Sequence, residues 1–325
     1  DALKQTLAGQ STLIRLVGDA GAGKSQMTAH FCADAAAGGV RILYTACQST
    51  QQRAAYAALR PIIRALLQYA EDGHASTDEQ IAQLTTLIAA THPEWLLRLP
   101  LLGDLLDLPI PDNGTTAAFD AGLRQETLAS FVVEITQRAA HDLPLALIIE
   151  DVHWLDEASQ RILLALAHGT PNSRLFVLLA HRPMHGEQTG FFRELSGLAN
   201  AATIELSELD TPGTMMLVRN RLQGEIDPLA LDIIYTLGHG NPFFTEELVD
   251  ALREGNRLIL DQGVWQLSPA VIDELRRANC LARVEENWRL RPDVPRTAID
   301  LGLPTSLHGL VLARLDRLPE STKIT

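Results

Sequence analysis

Four short stretches of the chain are apolar almost without interruption: 12–17 (TLIRLV), 40–46 (VRILYTA), 145–149 (LALII) and 175–180 (LFVLLA). Runs of this length, rich in Leu, Ile and Val, read as strands buried on both faces, as in a parallel sheet. Between them the period changes. Residues 26–37 are helix-like and closed by Gly38 and Gly39, and residues 51–70, 78–90 and 117–141 space Ala, Leu and Ile along one helical face. A Pro-containing patch interrupts them from Pro93 to Pro111, and a further helix starts near Glu157. Strands alternating with helices predict an α/β fold with a parallel sheet flanked by helices. Beyond Leu206-Ser207-Glu208-Leu209 the pattern is helical over 211–223, 227–237 and 245–253, and 257–267 reads as a hairpin about Asp261-Gln262-Gly263. Asn287-Trp288-Arg289-Leu290 echoes the hairpin's second strand, a single echo that does not predict a repeat architecture. Leu307, Leu310, Val311 and Leu315 predict a last helix over 306–318.

Composition narrows the class. At 325 residues, with 46% hydrophobic and 21% charged side chains, the chain can bury a large core and has room for two or three domains. Forty acidic against twenty-seven basic side chains give a net charge of -13, a field that repels phosphate backbones and makes direct nucleic-acid binding an unfavourable expectation. Cys32, Cys47 and Cys280 are odd in number and widely spaced, which reads as buried thiols in a reducing compartment. No apolar run approaches the roughly 20 residues of a membrane span, and Asp1-Ala2-Leu3-Lys4 is not a signal peptide, so a cytoplasmic location with no membrane partner is expected. The early first strand and the abrupt end at Thr325 lead us to expect a segment of a longer polypeptide.

The first strand runs directly into Gly18-Asp19-Ala20-Gly21-Ala22-Gly23-Lys24-Ser25, a G-x-x-x-x-G-K-S loop. Glycines let such a loop curl so that successive N–H groups face a nucleotide's phosphates, and the following helix adds its positive end. Gly18, Ala20, Gly21, Ala22, Gly23, Lys24, Ser25 and Gln26 are therefore the candidate nucleotide-binding residues, with Lys24 and Ser25 reaching the terminal phosphates and Mg2+. The apolar run 145–149 ends in Glu150-Asp151 and continues Val152-His153-Trp154-Leu155-Asp156, resembling a Walker B element. Carboxylates at the carboxyl end of a buried strand open onto the ligand crevice. Glu150 would hold Mg2+, directly or through water, and Asp151 would orient the attacking water or accept its proton; the alternative is that the pair caps the following turn and helix. His153 and Trp154 read as packing residues. Arg182, after the strand 175–180, is a candidate sensor of the terminal phosphate, or else an arginine in a surface ion pair.

These motifs, together with Gly238-His239-Gly240-Asn241-Pro242-Phe243-Phe244-Thr245-Glu246-Glu247-Leu248, resemble the STAND class of AAA+-related signal-transduction ATPases. The resemblance extends to the branch in which the module is joined to class III nucleotide cyclases, protein kinases or helix-turn-helix output domains. It implies a P-loop NTPase domain over 1–205, an α-helical lid over 206–256, and a hairpin and helices over 257–325 leading towards a winged helix. It also implies ATP or ADP as ligand, Pro242 against the adenine, slow regulatory hydrolysis, an attached output domain and a possible homo-oligomer. Without it, Gly240-Asn241-Pro242 is a helix-breaking turn. Two departures stand out: no Gly-Arg-Glu turn precedes Lys4, so adenine is inferred from the resemblance, and Arg193 is either an arginine donated between subunits or an ordinary helix-surface arginine. The competing readings are a DNA-associated AAA+ loader or remodeller, a small-molecule kinase, and a nucleotide-binding scaffold.

Overall fold

A computed structural model describes residues 1–70, 74–184, 189–284, 287–295, 299 and 301. The predicted helix over 306–318 lies outside the described residues. The chain forms two compact units, Asp1–Asp19 with Lys24–Leu206, and Ala20–Gly23 with Ser207–Thr325.

The first unit begins with helix α1 (Ala2–Leu7), strand β1 (Thr12–Val17), helix α2 (Lys24–Ala37) and strand β2 (Arg41–Ala46). A helical excursion follows: α3 (Arg60–Leu66), α4 (Thr77–Thr91), α5 (Leu99–Leu106) and α6 (Ala121–Asp142). Strand β3 (Leu145–Glu150), helix α7 (Glu157–Gly169), strand β4 (Leu175–His181), helix α8 (Thr189–Ser196) and strand β5 (Ala201–Glu205) complete it. The sheet order is β2-β3-β4-β1-β5, with every pairing parallel. The α/β fold expected from the apolar runs is therefore the fold observed.

Period-two alternation explains how one strand serves both faces of this sheet. Leu145, Leu147 and Ile149 of β3 join a core with α3 to α8, whereas Ala146 and Ile148 join a smaller core with Ala35 of α2 and Phe176 of β4. The register carries the carboxyl ends to one edge, with Val17 opposite His181 and Glu205, and Ala46 opposite Glu150. β1 lies between β4 and β5, so the phosphate-type loop leaves the sheet where the strand order reverses.

Three expectations change in the excursion and beyond. The helix expected over 51–70 is confined to α3, and Tyr56 takes a left-handed φ of 61°. Pro61 sits in the first turn of α3 because it lacks the N–H needed to continue a helix from upstream. The Pro patch is helical instead: a 3-10 turn (Pro93–Arg98) leads into α5, whose Pro100 falls in the first turn, where the missing donor costs nothing. β5 was not expected as a strand, since its residues are largely exposed and no apolar run marks it.

The second unit contains helices α9 (Thr211–Leu222), α10 (Pro228–Gly238), α11 (Pro242–Glu254) and α12 (Pro269–Arg277). Its strands are β6 (Glu225–Ile226), β7 (Leu258–Asp261), β8 (Val264–Leu267), β9 (Leu281–Val284) and β10 (Asn287–Leu290). β7 and β8 form the expected hairpin, with β6 added alongside β8. The single echo at Trp288 proves to belong to a recurring unit. Leu252, Asn256, Leu258, Trp265 and Leu267 recur at one constant spacing as Leu275, Asn279, Leu281, Trp288 and Leu290. α11 with β7-β8 and α12 with β9-β10 are thus two copies of a helix followed by a hairpin. Their joints match bond for bond: Arg257 N donates to Leu252 O at 2.8 Å and Cys280 N to Leu275 O at 2.9 Å, each after an Asn with positive φ.

Candidate nucleotide site

The loop after β1 is shaped by glycines where the backbone requires them. Gly21 and Gly23 have φ of +79° and +90°, a region that L side chains enter at a cost. α2 begins at Lys24, so the loop feeds a helix N-terminus, and Gly18 N donates to His181 O at 3.3 Å, tying the loop's root to the end of β4. Lys24 Nζ folds back onto the loop, donating to Gly18 O at 2.7 Å and Asp19 O at 2.9 Å. Its partial burial holds its pKa below the usual ammonium value, with Asp151 acting in the opposite direction and Arg182 adding to the lowering.

Ser25 and Glu150 are far apart in sequence and meet in the fold, with Ser25 Oγ donating to Glu150 Oε2 at 2.9 Å. Glu150, the last residue of β3, is only 8% exposed. A second hydroxyl reaches the same oxygen: Tyr44 Oη donates to Glu150 Oε2 at 3.2 Å. Partial desolvation of the phenol, on a residue that is otherwise exposed, and the neighbouring carboxylate raise the pKa of Tyr44, so it remains a donor. Sequence reasoning missed Tyr44; its position near the end of the strand paired with β3 was the available signal. The oxygen donors of Ser25 and Glu150 suit a hard cation such as Mg2+.

Asp151 leaves the strand with a left-handed φ of 53°, and its side chain is half-exposed. Asp151 and Glu150 do not cap the next helix. That task belongs to Asp156, whose Oδ1 accepts from Ser159 N at 2.9 Å and also from Tyr56 N at 3.3 Å. His153 follows Asp151 in a 3-10 turn (Val152–Trp154), with its Nδ1 at 3.9 Å from Asp151 Oδ1. Arg182, immediately after β4, is exposed, and its charge is felt at both Lys24 and His153. Its neighbour His181 is buried and fully engaged. Its Nδ1–H donates to Arg182 O at 2.7 Å, Arg15 Nη2 donates towards Nε2 at 3.4 Å, and its ring stacks on Phe192 at 4.1 Å. Burial drives its pKa down to about 4. Gln26 lies exposed in the first turn of α2, Arg193 exposed on α8.

In the second unit, Pro242 is the first residue of α11 and Asn241 its cap, accepting from Phe244 N at 3.0 Å. The loop residues Ala20–Gly23 group with this unit, and within it Asn241 Nδ2 donates to Ala20 O at 2.9 Å and Phe243 N to Gly21 O at 3.2 Å. A Cβ on Gly21 would stand 2.7 Å from Asn241 Oδ1. The Gly-Asn-Pro stretch is thus a helix start whose cap also bonds the loop.

A family model described as "AAA ATPase domain" matches residues 1–178. No curated protein is a significant match. Among solved structures, the chain is similar to the Orc1 protein of Aeropyrum pernix in complex with DNA, at 12% identity and a TM-score of 0.43, covering 86% of this chain and 64% of that one. It is similar to a STAND protein with a tetratricopeptide repeat sensor from Pyrococcus horikoshii, at 14% identity and a TM-score of 0.38, covering 97% of this chain and 44% of that one. It is also similar to Cdc6p from Pyrobaculum aerophilum, at 14% identity and a TM-score of 0.40, covering 76% of this chain and 57% of that one. This chain spans less than two thirds of each of those chains.

Proposed function

The chain belongs to the AAA ATPase domain family, and from that membership we propose that this AAA+ ATPase module works as a regulatory ATP switch within a larger signalling protein. The observation that carries the reading is the meeting of Ser25 with Glu150 at the end of β3, beside a glycine-shaped loop that enters a helix. In this reading the loop amides from Gly18 to Gln26 cradle the phosphates, and Lys24 exchanges its bonds to the Gly18 and Asp19 carbonyls for the β- and γ-phosphates. Ser25 and Glu150 hold Mg2+, which when bound draws negative charge from the phosphate oxygens. Asp151 takes the proton of the attacking water, Arg182 senses the terminal phosphate, and Pro242 contacts the adenine. Loss of that phosphate releases Lys24 and Arg182 and shifts the conformational equilibrium read by an attached cyclase, kinase or helix-turn-helix domain, or by a second copy of the chain. The divisions 1–205, 206–256 and 257–325 are our proposal for the domains.

The test is ATP binding and turnover by the chain and its variants. Lys24→Ala is expected to weaken ATP binding by about 10- to 100-fold, the loss of one or two charge-assisted hydrogen bonds. Asp151→Asn is expected to bind ATP normally and to hydrolyse it about 100-fold more slowly or worse. Turnover by Asp151→Asn equal to the parent's would remove Asp151 from the mechanism. Tight, steeply salt-dependent binding of duplex DNA would favour the loader reading instead.

A further inference from the structure

Two imidazoles lie near the carboxyl ends of β3 and β4, and the fold treats them differently. His181 has a partner for each ring nitrogen. His153 has none among the described residues: its side chain is 8% exposed, and neither Nδ1 nor Nε2 meets a hydrogen-bond partner there. A neutral imidazole carries one donor and one acceptor, and leaving either buried and unmade costs about 1–3 kcal/mol. Where only packing is at stake, at His181, both are satisfied; His153 needs a different account.

The turn that carries His153 supplies it. Asp151 takes its left-handed φ, Trp154 N donates to Asp151 O at 2.8 Å, and Leu155 N donates to Val152 O at 3.0 Å. In this tight turn the buried His153 ring lies against Trp154, with ring centroids 5.0 Å apart, while Asp151 stays half-exposed. Asp151 Oδ1 lies 3.9 Å from Nδ1, too far for a hydrogen bond and close enough for a side-chain rotation of Asp151 to close. Catalytic hydrogen bonds are often long without substrate and tighten when it binds. Burial lowers the ring's pKa, Asp151 acts in the opposite direction, and the charges of Arg182 and Lys24 add to the lowering, which favours the neutral imidazole with one N–H to donate.

We propose that His153 is a positioning residue for hydrolysis, its Nδ1–H donating to Asp151 Oδ1 when ATP is bound, so that the carboxylate's other oxygen faces the attacking water. This rests on the reading of Asp151 as the group that takes the water's proton. In that step the water oxygen bonds to the γ-phosphorus, its proton passes to Asp151, and the bond to the bridging oxygen breaks with its electron pair leaving on ADP. Asp151 then returns the proton to solvent.

Three substitutions in the full chain separate the ring's nitrogens from its bulk. His153→Phe keeps a ring against Trp154 without a donor, His153→Asn places an amide N–H near the position of Nδ1, and His153→Gln places one near that of Nε2. ATP affinity, by equilibrium dialysis of labelled ATP, is expected to stay within about threefold of the parent in all three, because His153 does not bind the phosphates. Single-turnover hydrolysis is expected to fall about tenfold or more in the Phe and Gln variants and to recover to within about threefold in the Asn variant. A Phe variant as fast as the parent, or recovery by Gln and not by Asn, overturns the proposal. If the Phe variant fails a melting test, the comparison of Asn with Gln decides alone. Asp151→Asn is the control: adding His153→Phe to it should slow hydrolysis no further. Parent-like turnover by Asp151→Asn, with His153→Phe slow, would instead show that the reading of Asp151 fails while His153 acts by another route.

Discussion

At the residue scale, the chain uses the same side-chain types for opposite ends according to what surrounds them. Glu150 and Asp156 are both buried carboxylates a few residues apart. Glu150 receives hydroxyls from Ser25 and Tyr44, while Asp156 receives two backbone amides and the Ser159 hydroxyl and so fixes the start of α7. His181 illustrates how burial becomes pH dependence. Its folded pKa is about 4, below the unfolded value of about 6.5, so between these values the unfolded chain binds the extra proton. Its contribution is present above pH 6.5 and is lost as pH falls towards 4, by about 3 kcal/mol in all. Urea unfolding at pH 7 and pH 4.5 should show the parent losing more stability than His181→Gln over that interval; equal losses would mean that His181 is not held neutral by the fold.

At the element scale, helix starts and close backbone approaches carry the precision. Asp156→Ala removes the cap of α7 and leaves Tyr56 N and Ser159 N without their acceptor, and should cost about 2–3 kcal/mol by urea midpoint. Asp156→Asn, which retains the accepting oxygen, should cost less than about 1 kcal/mol. In the second unit Gly240 has φ of +68°, and a Cβ there would stand 2.1 Å from Leu209 O, whose own N–H donates to Gly240 O at 2.8 Å. Gly240→Ala should therefore destabilise by about 3 kcal/mol or more, because strain adds to a backbone clash that no rotamer relieves. A melting temperature unchanged by Gly240→Ala would contradict that close approach. The duplicated helix and hairpin of α11 and α12 show why one Trp echo was weak evidence by itself: equivalence lies in the Asn joints and the paired Leu positions, which mean little until the hydrogen bonds align them.

At the scale of the whole molecule, each unit buries its own apolar core, Leu13 to Leu195 in one and Val218 to Leu301 in the other. Among the described residues no helix is long and apolar enough to cross a membrane. A ligand that binds only the folded state stabilises it by mass action, about 2.7 kcal/mol at a hundredfold excess over its Kd. Mg-ATP at that excess over the parent's Kd should raise the melting temperature of the parent by several degrees and that of Lys24→Ala by about half as much or less. An equal shift in both would place the nucleotide elsewhere.

What the amino-acid sequence determined was local. Apolar runs of strand length, glycines where the loop needs positive φ, and the onset of helical spacing near Glu157 depend on neighbours a few residues away, so β1, β3, β4, the phosphate loop and the start of α7 could be read directly, whereas α11, expected from residue 245, begins at Pro242. Even there proline corrected the pattern, because Pro61 and Pro100 open helices and do not merely interrupt them. Tertiary structure alone decided the strand order β2-β3-β4-β1-β5, the union of Ser25 and Tyr44 on one oxygen of Glu150, and the contrast between a satisfied His181 and an unsatisfied His153. Those features join residues distant in sequence, and their partners are chosen by which faces pack and which polar atoms are stripped of water, quantities that no local window of residues contains.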